Sequence, residues 1–237
     1  MKWKILTIVA IILSIISIMG VLKYPIDKID QDILRKFLKQ EIGDLVFDAN
    51  WNDFVYFHTL FESLDGYGIT GTVVPGTWGF TMTTGAISGN SAELEKNPAY
   101  QKVFNWHKQQ RMKVNFQLGS ITAVTVSAVV GLVGADVHYG FKVINNTVYG
   151  TVGDTSQSTI VLGTISANLN YDYEARFFPS QKVIFLIDGV EKGVLTTNLP
   201  YGGTSGENEQ LLEIVITTNE NVAKFLLMSE FEFIQKK

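Results

Sequence analysis

Two pairs of glutamates have the spacing that a reaction with two carboxyl groups needs. One residue separates Glu93 from Glu95, and one separates Glu230 from Glu232. Residues two apart in a β-strand point to the same face, so each pair would present both carboxyls on one side of a sheet. Retaining hydrolysis of a glycosidic bond uses two carboxyls about 5 Å apart. For Glu230 and Glu232, the pattern of the final strand favours a solvated face instead.

The other side chains that commonly carry chemistry are absent or isolated. There is no cysteine, which excludes disulfides, thiolate metal sites and cysteine nucleophiles. His58, His107 and His138 lack the paired spacing of metal ligands, so we predict a core or surface role for each. No Gly-x-Ser-x-Gly motif occurs, and the glycines of segment 66–71 link strands without opening a helix. We therefore predict a protein that is not an enzyme and has no catalytic residues.

Aromatic side chains are the best candidates for binding a ligand. Tyr67 and Trp78 flank glycine-rich turns, and Tyr201 stands beside two glycines, so we expect these three on exposed loops. Their rings combine a flat apolar face with a polar edge, which suits the stacking of a sugar. Trp51 and Trp106 are instead predicted to belong to the core or the edge of the domain. No cluster of acids has the spacing of a metal site.

Composition and charge exclude a nucleic-acid partner. Of the 237 residues, 46% are hydrophobic and 18% are charged. Residues 1–44 carry 7 basic and 5 acidic side chains (+2), and the remainder carries 12 and 18 (−6), which gives the net charge of −4. An acidic body without a lysine and arginine cluster is a poor binder of phosphate backbones.

The N-terminal residues form two segments before the main domain. Residues 5–22 are apolar and follow Lys2 and Lys4, which predicts a membrane anchor over residues 1–23. A cleaved signal peptide and a buried core helix are the alternatives. Residues 24–44 are predicted to form an amphipathic stalk helix with an apolar stripe from Ile26 to Phe37. That stripe could pack on the domain, lie on the membrane, or join identical helices in a homo-oligomer.

From residue 45 onward the hydrophobic period changes from that of a helix to that of a strand. Residues 112–118 and 171–177 alternate apolar and polar side chains, as in strands with one buried face. In the last strand, one face is predicted to carry Leu227, Ser229, Phe231 and Phe233, and the other face Met228, Glu230 and Glu232. Residues 183–187 are apolar throughout, which predicts a central strand covered on both faces.

Turn chemistry supports the same interpretation. Asp188-Gly189 and Asn145-Asn146 each separate two strands by two residues that tolerate the positive φ angles of tight hairpins. With 21 glycines and 5 prolines, the chain is predicted to form a two-sheet antiparallel β-sandwich over residues 45–237. Asn145-Asn146-Thr147 also forms a glycosylation sequon.

The strand and turn motifs resemble a known superfamily. They are Tyr171-Asp172-Tyr173-Glu174-Ala175, the hairpin strand from Lys182 to Gly189, Thr196-Thr197-Asn198-Leu199-Pro200, Leu64-Asp65-Gly66, Gly79-Phe80-Thr81-Met82 and His138-Tyr139-Gly140-Phe141-Lys142-Val143. This pattern is similar to the concanavalin A-like lectin and glucanase superfamily, including its laminin G-like branch. It also resembles the lectin-like domains of phage and archaeal-virus structural proteins.

The resemblance implies a jelly-roll fold and no particular activity. The glucanase branch carries three acids on one strand, whereas each pair here lacks the third acid and the tryptophan-rich cleft. A calcium site, near Asp65 or Asp154, is implied by resemblance alone. We expect a non-enzymatic lectin-like surface protein, membrane-anchored or exported, that binds a glycan or another surface polymer and has its β-domain outside the cell or on a virion. The alternative is a structural protein of a virion or cell-surface assembly that uses the fold for subunit contacts.

Overall fold

The structure, a computed structural model, describes the part of the chain that forms the β-domain. The described residues are 54–59 (backbone only), 67–76, 79–96, 105–131, 137–154, 156–201 and 212–236. They contain fifteen β-strands and no helix, so none of them forms a helix able to cross a membrane. The predicted anchor over residues 5–22 and the predicted stalk helix lie outside these ranges.

The strands follow one another through short turns at most positions. Their bounds are β1 Phe54–Thr59, β2 Gly68–Thr70, β3 Thr72–Gly76, β4 Gly79–Thr83, β5 Ser91–Lys96, β6 Gln110–Leu118, β7 Val124–Gly131, β8 His138–Ile144, β9 Thr147–Gly153, β10 Gln157–Thr164, β11 Asn170–Phe178, β12 Lys182–Ile187, β13 Val190–Leu195, β14 Leu212–Thr218 and β15 Phe225–Lys236.

The fifteen strands form two antiparallel sheets. One has eight strands in the order β13-β12-β11-β6-β15-β4-β3, with β1 also paired to β15. The other has seven strands in the order β10-β9-β8-β7-β14-β5-β2. The C-terminal strand β15 lies inside the larger sheet, where it pairs with β6, β4 and β1. The predicted two-sheet antiparallel sandwich is confirmed.

Alternating side chains from both sheets meet in one core. In β6 the burial alternates without exception, from Gln110 to Leu118. The ring of Phe116 stacks on Tyr173 at 4.3 Å between centroids, and Trp106 packs edge-on against Tyr139 and Phe177. Each buried aromatic contributes roughly 1.5–3 kcal/mol by leaving water. Trp106 is a core residue, as predicted, and Trp51 lies outside the described residues.

A β-bulge in β15 overturns the predicted faces of the last strand. Met228 pairs with Phe116 while Glu230 pairs with Asn115, so Ser229 is an extra residue between them. One extra residue exchanges the two faces of a strand. Met228 therefore shares the core with Phe231, and Leu227 is only half-buried.

The strand over residues 182–187 is not central. β12 lies next to the edge strand β13, and its Val183, Phe185 and Ile187 face the core. Leu186, on the other face, is also buried, but Ile184 is only half-buried. The apolar run in β12 thus predicted correctly that the strand is largely buried, but it did not predict where the strand lies in the sheet.

Both predicted hairpins are present. Asp188 and Gly189 adopt φ angles of 51° and 75° between β12 and β13. Between β8 and β9, Asn145 has a φ of 56°, whereas Asn146 is not at positive φ.

The connections divide the sandwich into two unlike ends. At one end, which we call the turn end, β8 joins β9 and β12 joins β13 through two-residue hairpins, and β14 joins β15 through residues 219–224. At the other, which we call the loop end, β5 leads to β6 through residues 97–109, β7 to β8 through 132–137, and β13 to β14 through 196–211. Loops supported by a rigid sheet are where binding residues are usually found.

Candidate functional site

An exposed aromatic pair stands at the loop end. Tyr201 follows β13 and is 66% exposed, and its ring meets that of His107 edge-to-face at 5.4 Å. His107 is itself exposed and directly follows the buried Trp106, which fixes that segment to the core. The imidazole thus braces the tyrosine from one side and leaves most of the ring in solvent.

The other two predicted aromatic residues have different outcomes. Tyr67 is half-buried and packs its ring edge-on against Phe80 at 6.0 Å, so it is part of the core boundary and does not project from an exposed loop. Its position beside a glycine turn suggested exposure, but the apolar neighbour dictates its placement. Trp78 lies outside the described residues, and its predicted role stays a prediction.

A second group of polar residues lies on the outer face of the seven-stranded sheet. Glu93 and Glu95 on β5 point to the same side, and Glu213 on β14 is paired directly across from Glu95. Residues that are directly opposite in antiparallel strands have Cβ atoms about 4.5–5.5 Å apart. Three carboxyl groups therefore share one small area next to the loop end.

Electrostatics in this carboxyl cluster favour a proton on Glu93. Burial, a side-chain hydrogen bond with Glu95, and the charges of Glu95 and Glu213 raise the pKa of Glu93 from 4.5 to about 7. The protonated Glu93 then donates a hydrogen bond to the Glu95 carboxylate. The neighbouring carboxyl groups disfavour the ionised form of Glu93, because like charges in contact repel each other.

The cross-strand row that contains Glu95 and Glu213 continues across the sheet. It runs on through Val129 and Gly140 to Thr151, which lies about 14 Å from Glu213 by the usual spacing of strands. Val129, in the middle of this row, is fully buried.

A buried hydrogen-bond chain occupies the far end of that row. Nε2 of His138 lies 3.0 Å from the Thr151 hydroxyl, which also accepts a hydrogen bond from the Gln157 amide at 2.6 Å. His138 and Thr151 are both buried. His138 therefore lies in the interior, one of the two placements expected for it.

The second glutamate pair does not lie on a solvated face. Glu232 is only 3% exposed and accepts an ion-paired hydrogen bond from Arg111 on the neighbouring strand β6. Glu230 is half-buried. The predicted solvated position of Glu232 was wrong, because Arg111 on the neighbouring strand forms an ion pair with this carboxylate and permits its burial.

A metal site finds no support in the described ranges. No group of three or more histidine, aspartate or glutamate side chains there is arranged to hold an ion. Asp154 is described and half-buried, whereas Asp65 lies outside these ranges.

Solved structures with the same architecture place this sandwich in a known fold. A β-glucanase of Bacillus licheniformis is 10% identical and superposes with a TM-score of 0.57, over 77% of this chain and 98% of the other. A Crh5 transglycosylase in complex with NAG is 14% identical, with a TM-score of 0.55 over 77% and 84% of the two chains. The fold is the concanavalin A-like jelly roll.

A binding protein shares the jelly roll as well. The binding domain of a botulinum neurotoxin in complex with SialylT is 11% identical, with a TM-score of 0.50. The match covers 70% of this chain but only 42% of the toxin domain. No protein-family description and no curated protein matches this chain. At these identities the similarity establishes the fold, and the activity has to be argued from the site.

Some features of this jelly roll had no signal in the sequence. Glu213 joins Glu93 and Glu95 only through the pairing of β14 with β5, which is more than a hundred residues distant in the chain. Likewise, His138 meets Thr151 through the register of β8 and β9. Periodicity predicts the face on which a residue lies, but it does not predict the partner on the next strand.

Proposed function

We propose that this protein is a non-enzymatic, lectin-like surface protein that binds a glycan at the loop end of its jelly roll. The observation that carries the proposal is the exposed ring of Tyr201, braced by His107 at the loop end. Among the described phenylalanine, tyrosine and tryptophan side chains, Phe225 is the other exposed one, and it lies at the turn end over Gly119. Solved jelly rolls with NAG and with SialylT support a sugar as the ligand class.

The carboxyl cluster supports binding over hydrolysis. In a retaining glycosidase the two carboxyls stand about 5 Å apart, with the scissile bond between them. Glu93 and Glu95 instead hydrogen-bond to each other, so they do not have the separation of such a pair. We infer that these residues shape the charge of the loop end without cleaving the ligand.

Tyr201 is the residue on which this proposal is tested. Full-length protein in detergent is applied to a glycan array, and affinity for the best ligand is then measured by titration. Tyr201→Ala should weaken binding roughly tenfold, the equivalent of about 1.4 kcal/mol, whereas Tyr201→Phe should retain most of it. Ile87→Ala is the matched control, because Ile87 is equally exposed at the turn end. Equal affinity of Tyr201→Ala and wild type would refute this site.

The location of the domain is a further part of the proposal. Residues 5–22 would hold the protein in a membrane, with the jelly roll outside the cell or on a virion surface. Deletion of residues 1–24 should turn a protein that sediments with membranes into a soluble one. Recovery of a native N-terminus near Val21 would show a cleaved signal instead.

Edge strands favour a second candidate function, that of a structural subunit in a virion or cell-surface assembly. Val161 on β10 and Val190 on β13 are exposed on neighbouring edges of the two sheets. Unpaired edges with exposed valines are suited to strand-to-strand contacts with another copy. Sedimentation analysis of wild type and of a Val161→Lys, Val190→Lys variant tests this function, which predicts an oligomer that the variant cannot form.

A further inference from the structure

The tip of the β8–β9 hairpin displays a sequon at the turn end. Asn145 and Asn146 form the two-residue turn and are exposed, and Thr147 begins β9. No other Asn-x-Ser or Asn-x-Thr triplet occurs in the sequence. A solvent-exposed turn is accessible to a modifying enzyme, unlike a sequon in the middle of a strand.

The backbone around Asn145 holds its side chain in a defined orientation. The Asn145 N–H donates to the Val124 carbonyl at 2.8 Å, and the Asn145 Oδ1 accepts from the Val124 N–H at 3.3 Å. The carboxamide oxygen is thereby turned toward the sheet. The bond with Val124 uses the oxygen and leaves the amide nitrogen Nδ2 of this exposed residue outside that contact.

We propose that Asn145 is an acceptor site for an N-linked glycan. The inference rests on the proposed function, because the domain must be exported to meet a glycosyl donor. The donor class is a lipid-linked oligosaccharide pyrophosphate. A bond forms between Nδ2 and the first sugar carbon, the bond from that carbon to the pyrophosphate oxygen breaks, and the amide proton leaves with the lipid pyrophosphate.

The position of this site fits a protein whose ligand binds elsewhere. Asn145 lies at the turn end, whereas Tyr201 and the carboxyl cluster lie at or beside the loop end. A glycan at Asn145 would leave the loop end uncovered. It would also keep the turn end in solvent, because a bulky hydrophilic modification is incompatible with a tightly packed contact there.

Translation of the full chain in the presence of endoplasmic-reticulum microsomes tests the inference. Protease protection reports translocation, and an endoglycosidase-sensitive mobility shift reports the glycan. A second form, with a cleavable secretory signal placed before residue 1, forces translocation. Asn145→Gly removes the acceptor but suits the positive φ of the turn. Thr147→Ala removes the hydroxyl that the sequon requires, and Thr147→Ser retains it.

We expect one mobility shift in protected wild type and in Thr147→Ser, and its complete loss in Asn145→Gly and Thr147→Ala. A protected chain without the shift overturns the inference, as does a shift that survives Asn145→Gly. If the unmodified chain is not protected, the proposed export fails, and the form with the added signal decides the glycan site by the same criteria.

Discussion

The ring of Phe185 on β12 lies directly over the backbone of Gly150 on β9, so these two residues form a close contact between the two sheets. A Cβ atom at Gly150 would come within 2.7 Å of Cδ2 and Cε2 of that ring. Phe185 is fully buried, and its ring also meets Phe141 edge-on at 5.6 Å. The core packing at this point therefore requires glycine, because any side chain at position 150 would collide with the Phe185 ring.

The effects of substitutions at Gly150 and at Phe185 on the free energy of unfolding should depend strongly on each other. Gly150→Ala is expected to cost about 1–3 kcal/mol of unfolding free energy, because the core cannot expand without strain. Phe185→Leu removes the ring that the new methyl group would strike. The double variant should therefore be more stable than the sum of the two single effects predicts. Chemical denaturation measures the free energy of unfolding of the three variants. Gly76→Ala is the control, because a Cβ there would lie at an ordinary contact distance of 3.4 Å from its nearest neighbour. Additive effects would show that the sheets separate more easily than the contact indicates.

The Asp188-Gly189 hairpin allows backbone strain to be measured by itself. A Cβ at Gly189 meets no atom within 4 Å, but the φ angle is 75°. Gly189→Val should cost about 1–3 kcal/mol through the backbone alone. Gly189→Asn should cost much less, since Asn168 and Asn198 already adopt positive φ in this chain. The two variants are compared by thermal melting, and equal melting temperatures would contradict the geometry of the turn.

Stability should depend on pH through Glu93. Because the folded-state pKa is raised from 4.5 to about 7, the folded protein binds this proton more tightly than the unfolded chain does. The stabilisation that the Glu93 proton gives to the folded state is fully present below pH 4.5 and is lost as the pH rises to about 7. Glu93→Gln, which cannot ionise, should therefore raise the melting temperature at pH 8 relative to wild type more than at pH 4.5. The exposed Glu191→Gln serves as the control. A difference between Glu93→Gln and wild type that stays constant with pH would contradict the raised pKa of Glu93.

The bulge in β15 predicts which deletion the strand tolerates. Removal of Ser229 would leave Met228 and Phe231 on the core face in regular alternation, with Glu230 outside. This variant should fold with a modest loss of stability, since it loses the hydrogen bond between Ser229 and Asn115. Removal of Leu227 instead turns Leu226 from the core face, because a one-residue slip exchanges the faces. Circular dichroism and melting should show a folded first variant and a severely destabilised second one.

Local patterns in the sequence predicted much of this fold. The alternation in β6 and β11, both hairpins and the buried Trp106 follow from side-chain period and turn chemistry, which act over a few residues. The Ser229 bulge was not predictable, because Leu227 and Phe231 keep the apolar character of a regular strand. The burial of Glu232 depends on its ion pair with Arg111. The two residues come together only when β15 pairs with β6, which is distant in the chain.

The candidate site was less predictable than the fold. Tyr201 was expected to be exposed because of its glycine neighbours, and it is, but the same argument failed for Tyr67. Tyr67 is half-buried because it contacts Phe80, and the hydrophobic period of the sequence does not predict a contact between these two residues. The brace between His107 and Tyr201 likewise depends on two loops whose meeting is a property of the whole sandwich.

The position of β15 has a consequence for how the protein is made. This strand follows all the other described strands in the chain, yet it lies between β6 and β4 and also pairs with β1. A nascent chain that lacks residues 225–236 contains no continuous larger sheet, so this sheet cannot close before β15 has been synthesised. Until then, apolar strands of this sheet lack a partner and are prone to aggregation. A stop codon at position 225 should therefore yield a chain that is degraded and accumulates no folded fragment.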